Sequence, residues 1–116
     1  MSHKNTKINL YELYEIKKNQ DIKHKNVFNV ILEVCNKKIK RIAEHGGMCL
    51  YFKVPPVIIG YPLYDYDSCM NYLMEQIRKS GLFVIRLENK NSNYIYISWK
   101  LEDLSQKYKS KLLLLE

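Results

Sequence analysis

Phe28, Ile31, Leu32, Cys35, Ile39 and Ile42 recur at spacings of three and four, and Gly46-Gly47 follows them. Such spacings put apolar side chains on one side of a helix. From Met48 the period changes to two. Met48, Leu50, Phe52 and Val54 fall on one side, and Cys49, Tyr51 and Lys53 on the other. That is a strand, and Pro55-Pro56 stop it because neither residue can donate to a ladder. A long amphipathic helix that yields to a strand at a glycine pair places the chain in the α+β class.

The long helix is predicted over residues 22–45. Val27, Val30 and Val34 widen its apolar stripe, so cover is expected on more than one side. A shorter helix is predicted over 10–18, carried by Leu10, Leu13, Tyr14 and Ile16. Asn9 and Glu12 have capping-box spacing, and Ile8 with Leu13 suits a hydrophobic staple. Lys17 to Asp21 is read as the break between the two helices.

Residues 57–64, VIIGYPLY, are apolar but punctuated by Gly60 and Pro62, which predicts an ordered loop packed on the core. Asp65 or Asp67 caps a third helix over 66–80, with Tyr66, Cys69, Met70, Leu73 and Ile77 buried and Gly81 as the stop. Residues 82–87 and 94–99 alternate and flank the polar stretch 88–93, which predicts a β-hairpin with a six-residue tip. The tail, 101–116, repeats Leu101, Leu104, Tyr108, Leu112 and Leu115 at helical spacing. Two readings of this amphipathic C-terminal helix stand: docking on its own domain, or presentation of Leu104, Tyr108, Leu112 and Leu115 to a partner.

These elements fit one domain over 1–116, with a helical basic part (10–45), an α+β core (48–99) and the C-terminal helix. The expected architecture is N-terminal helices plus a small antiparallel sheet built from strand, helix and hairpin. The order is winged-helix-like if residues 57–64 stand in for the middle helix. The helix at 66–80 would then be the recognition helix and 88–93 the wing.

Lys and Arg outnumber Asp and Glu by 19 to 12. The excess is local: residues 1–53 carry eleven basic and five acidic groups, and residues 54–116 carry eight and seven. The candidate nucleic-acid contact is therefore Lys37, Lys38, Lys40 and Arg41. A solvated face that favours the dipole at the helix C-terminus explains the same four residues. Lys, Asn, Ile and Tyr make up 48 of the 116 residues against one Ala, the signature of an AT-rich genome.

Cys35, Cys49 and Cys69 are odd in number, widely spaced and set at apolar positions, as reduced core thiols would be. His45 and Cys49 are four apart but lack further ligands of suitable spacing, so no metal is expected. The sequence contains no P-loop, GxSxG or HExxH. Tyr61, Tyr64 and Tyr66, or Tyr94 and Tyr96, could stack on bases; a packed loop explains the first set as well, and cross-strand packing or a protein interface the second. No apolar run reaches the length of a membrane span, and the N-terminus does not read as a signal peptide.

The string from Val54-Pro55 through Gly60-Tyr61-Pro62-Leu63-Tyr64-Asp65, Cys69, Tyr72, Gly81-Leu82-Phe83-Val84 and Ile97-Ser98-Trp99 resembles a small family encoded by nucleocytoplasmic large DNA viruses, both mimivirus-like and phycodnavirus-like. The resemblance spans about residues 48–99. It implies a viral origin and brings no assigned activity. Its motif residues Pro55, Gly60, Pro62, Leu63, Tyr64, Asp65, Gly81 and Trp99 have structural explanations: strand end, turn, helix cap, helix stop and hairpin closure.

The expectation is thus a non-enzymatic interaction or structural protein of a large DNA virus, in the host cytoplasm or the virion, and not secreted. It needs no cofactor or small-molecule substrate. Its partner is a protein or a second copy. The alternative is a nucleic-acid-binding protein with a winged-helix-like core.

Overall fold

A computed structural model describes residues 7–114. The chain runs α1 (Leu10–Glu44), β1 (Cys49–Lys53), α2 (Tyr66–Lys79), β2 (Phe83–Arg86), β3 (Tyr94–Ser98) and α3 (Gln106–Leu113). Short 3₁₀ turns occupy Asn89–Asn91 and Leu101–Asp103. The three strands form one antiparallel sheet in the order β1-β3-β2. The fold is therefore α+β, with a long N-terminal helix, a small sheet and a C-terminal helix.

The core lies between one sheet face and the two larger helices. Val27, Phe28, Ile31 and Cys35 of α1 and Cys69, Met70, Leu73 and Ile77 of α2 are buried. Phe52, Val54, Val84, Ile95 and Ile97 meet them from the sheet and its margin. Both helical stripes have the expected spacing. Alternation in β1 also follows expectation, although Met48 before it is 44% exposed.

The first two predicted helices are one. α1 runs unbroken for 35 residues, straight through Lys17–Asp21. Lys, Gln and Asp within a helix are tolerated, and only Gly or Pro would have stopped it strongly. The Lys17 ammonium instead reaches the Asp21 carboxylate at 2.9 Å, one turn on, across the expected break. At the N-terminus Asn9 does cap, but its side-chain oxygen accepts from the Tyr11 N–H rather than from Glu12. Ile8 and Leu13 are both exposed, so no staple buries them.

Segment 57–64 contains no helix, so the middle helix of a winged-helix frame is missing. Its turn is closed by the Tyr61 N–H donating to Ile58 O at 3.1 Å, and Gly60 takes φ 92° there. Only its ends pack on the core, through Ile58 and Tyr64. Ile59 at the tip is 98% exposed, and Leu63 is mostly exposed too. The loop is held from below. The Tyr64 hydroxyl donates to Pro55 O at 2.5 Å, and the Tyr66 hydroxyl to Val54 O at 2.7 Å. Burial, then the neighbouring Cys69 and Tyr66, push the Tyr64 hydroxyl pKa up to about 12, so it stays a donor.

The hairpin forms as expected, and Asn89 adopts φ 61° in its tip. The tail differs from a single helix over 101–116. It breaks at Leu104 and Ser105, whose ψ angles are 157° and 154°. Ser98 fixes the turn before the break: its hydroxyl donates to Asp103 at 2.5 Å and accepts from the Lys100 N–H at 3.1 Å. Leu101, Leu104 and Tyr108 therefore do not lie on one helical seam.

The thiols behave as core groups in two cases of three. Cys35 and Cys69 are buried and Cys49 is half-buried, all of them free. Burial pushes the thiols of Cys35 and Cys69 up to about 12, with Lys38 opposing part of the effect at Cys35. At pH 8 a maleimide should label one cysteine per native molecule quickly, at Cys49, and all three after denaturation. Rapid native labelling of Cys35 or Cys69, read by peptide mass spectrometry, would contradict this core.

Candidate functional site

The first buried residue of α1 is Val27, so residues 10–26 stand clear of the core. At about 1.5 Å per residue this arm is roughly 25 Å long, consistent with a molecule of 73 × 29 × 26 Å. The arm is helical because it propagates from a packed segment, which removes the cost of nucleation. Leu10, Leu13 and Tyr14 share one stripe, with Tyr11, Ile16 and Ile22 beside it, and all six are at least half exposed. Lys17 and Asp21 continue the stripe towards Phe28.

The arm leaves the core where the apolar loop is anchored. The Tyr64 ring meets Phe28 edge-on at 5.7 Å, and Tyr72 lies 5.6 Å from Phe28 on another side. The Tyr72 hydroxyl also donates to the Asn29 side chain. A cleft of about 480 Å³ follows the junction between Lys17, His24 and Lys25 of the arm and Asp65, Ser68 and Tyr72 of α2. The exposed apolar side chains Val57, Ile59 and Leu63 belong to that loop. A monomer in water does not gain from exposing such residues, and clusters of them mark contact surfaces.

The four predicted basic residues are all exposed on α1, beyond the arm, but do not share one side of the helix. Lys37 pairs with Glu33 at 3.4 Å, one turn back. Lys38 turns toward the sheet, its ammonium 5.5 Å from the centre of the buried Phe52 ring. Lys40 and Arg41 are exposed. His45 donates from Nδ1 to Arg41 O at 2.7 Å, which closes the helix end. Among the described residues no group of three His, Cys, Asp or Glu side chains is placed to hold a metal. None of the described helices is long and apolar enough to cross a membrane.

The tail residues expected as a partner contact divide. Leu104 and Tyr108 are half-buried. The Tyr108 ring lies over Gly81, so close that a Cβ there would sit 3.0 Å from it. Leu112 is partly exposed, and Leu115 lies outside the described residues. An apolar groove of about 580 Å³ runs between this helix and Met48, Leu82 and Trp99.

The motif residues hold the fold. Pro55 accepts from Tyr64, and Gly60 and Pro62 shape the loop that exposes Leu63. Asp65 caps α2: its carboxylate accepts from the Ser68 N–H at 2.9 Å and the Ser68 hydroxyl at 2.6 Å, which lowers its pKa. Gly81 ends α2 with φ 93°. Trp99 packs against the core, and its backbone N–H donates to Met48 O at 3.0 Å. Asp67 is neutralised by Arg86 at 2.8 Å, whose Nε also donates to Ser92 O and ties the hairpin tip to α2.

The arm escapes sequence reasoning because its apolar positions fit a short helix of their own. The signal that could find it is the absence of Gly and Pro between residues 10 and 45, which allows one helix to outrun its core.

These features define a small α+β protein with a projecting helical arm and a sheet covered on one face. A family model matches residues 8–78, and the chain belongs to that family, a family of unknown function, DUF5759. The matched segment takes in the whole arm, β1, the apolar loop and nearly all of α2. No curated protein and no solved structure matches the chain.

Proposed function

We propose that this chain is a non-enzymatic interaction protein of a large DNA virus, acting in the host cytoplasm or the virion, and that the arm is the element it offers to a protein partner. The observation that carries this reading is the arm itself: six large apolar or aromatic side chains at least half exposed on the stretch of α1 that buries no side chain. The viral part of the proposal rests on the AT-rich composition and on the resemblance over residues 48–99.

Burying a large apolar side chain contributes about 1.5–3 kcal/mol. Leu10, Leu13 and Tyr14 are 50–69% exposed, so covering them yields about 3–5 kcal/mol before the cost of association, which is of similar size or larger. The arm alone therefore supports a reversible contact. Nanomolar binding requires the loop tip at Ile59 and Leu63 to engage as well.

The test is affinity capture of the tagged chain from infected cells. L10K, L13K and Y14K combined should remove the specific partner while leaving the thermal midpoint within about 2 °C of wild type, because surface changes away from the core cost little. L112K in the tail should retain the partner. The reverse pattern, with the tail variant losing it and the arm variant keeping it, would make the tail the contact.

A further inference from the structure

The sheet has a second face, turned away from α1 and α2. Side chains alternate across a strand, so Cys49, Tyr51, Lys53, Tyr94, Tyr96 and Ser98 lie on it, with Phe83 and Ile85 from β2. Antiparallel sheets with one solvated face ordinarily present polar side chains there. This one presents rings. Tyr51 directly opposes Tyr96, their centroids 5.0 Å apart and tilted by 44°. Phe83 meets Tyr96 from the other side at 6.2 Å. Tyr96 itself opposes Ile85, and Tyr94 opposes Lys53.

The strip is partly exposed. Tyr51 is 60% accessible and Ile85 42%, Phe83, Tyr94 and Tyr96 are half-buried, and the tail turn covers the end at Ser98 and runs beside Phe83 and Ile85. Its own charged side chains are Lys53 and Lys100, with Glu102 and Asp103 next to the latter. Lys53 stands at one end and Lys100 leaves β3 at the other. The Lys100 ammonium is held above its ordinary pKa, by Tyr96 first and then Cys49. None of the eight open-face positions is acidic. Of the nearby carboxylates, Asp103 is engaged by the Ser98 hydroxyl and Glu102 is exposed beside Lys100.

We infer that this face binds single-stranded nucleic acid, with bases stacked on Tyr51 and Tyr96, Phe83 at the margin, and phosphates held by Lys53 and Lys100. The chemistry favours that ligand over an apolar protein surface. The strip offers π-faces with wet hydroxyl edges between two cations, which suits alternating bases and phosphates. A duplex hides its base faces and cannot use the rings. The surface is separate from the arm, so it stands or falls independently of the protein-partner reading.

The experiment is fluorescence anisotropy with labelled dT12 and U12 at about 50 mM salt, repeated in rising salt. Wild type should bind both strands and be displaced poorly by duplex DNA. Y51A and Y96A should each weaken binding roughly tenfold, whereas Y51F and Y96F should retain it. K53A with K100A should make the log–log salt slope shallower by about 0.7 for each phosphate that is no longer neutralised. Charge reversal at Lys37, Lys40 and Arg41 should change little. Circular dichroism confirms that each variant is folded. Absence of binding at low salt overturns the inference. So does binding that survives Y51A/Y96A but disappears on charge reversal in α1, which would move the site to the helix. Self-association through the sheet face, seen as a mass increase that Y51A abolishes without any nucleic acid bound, overturns it as well.

Discussion

Leu73→Ala is expected to lower the unfolding free energy by roughly 2–5 kcal/mol. Leu73 lies at the centre of α2, fully buried among side chains from α1 and the sheet. Truncation removes its transfer free energy and leaves a cavity that surrounding residues on three elements cannot easily fill. The effect is large against the whole, because a domain of this size has about 5–15 kcal/mol of stability. At about 4 °C per kcal/mol, the thermal midpoint should fall by roughly 8–20 °C. A melt followed by circular dichroism measures it. A fall below about 3 °C would show that Leu73 is not packed on all sides. Leu63→Ala on the exposed loop should have almost no effect, although it removes the same atoms.

Gly81→Ala is expected to cost roughly 1–3 kcal/mol through two separable effects. The first is backbone strain, since φ is 93° and a side chain disfavours that region. The second is steric, since the added Cβ would lie 3.0–3.3 Å from three atoms of the Tyr108 ring. Gly60→Ala isolates the first: its φ is 92° and nothing lies within 4 Å of the new Cβ. The excess of Gly81→Ala over Gly60→Ala measures how firmly the tail helix is docked. Placing Gly81→Ala in a Tyr108→Ala background should remove that excess, by double-mutant-cycle reasoning. Equal costs at both glycines, with no coupling to Tyr108, would show the tail to be loosely held.

The docked tail bears on how the molecule presents itself. Tyr108 over Gly81 and the half-buried Leu104 dock the tail on its own domain, while Leu112, Leu113 and Leu114 stay exposed. Apart from the exposed leucines of the tail, the apolar surface left uncovered is concentrated at the arm, the loop tip and the open sheet face. Each of these three surfaces can be altered without touching the core cluster.

Several site residues are legible in the sequence. Asp65 is expected to cap the third helix, and its carboxylate does so through Ser68. The helix-to-strand switch at Gly46-Gly47, the hairpin tip and the pairing of Tyr94 with Tyr96 on one face follow from periods of 3.6 and 2. Such signals are local, set by backbone sterics and the alternation of side chains, and a few neighbouring residues suffice to carry them. The continuity of α1 is hidden because Lys17 to Asp21 is polar, and polarity ends an apolar stripe without ending a helix. The tail misleads for the opposite reason. Its apolar spacing persists through Leu101, Leu104 and Tyr108, while Ser98 and Asp103 bend the backbone between them.

What the sequence by itself determined is therefore the α+β class, the apolar faces of α1 and α2, the strand alternation and the caps. Only the tertiary structure decided which apolar faces find cover. Periodicity shows that one side of an element is apolar, but burial needs a second surface at the right distance, and that surface comes from residues far away in the chain. α1 buries side chains from Val27 onward and none among the described residues before it. The sheet meets two helices on one face and, on the other, only the tail at the Ser98 end and beside β2. The arm and the open face are functional candidates because of what does not pack against them, a property of the whole fold that no local stretch of sequence encodes.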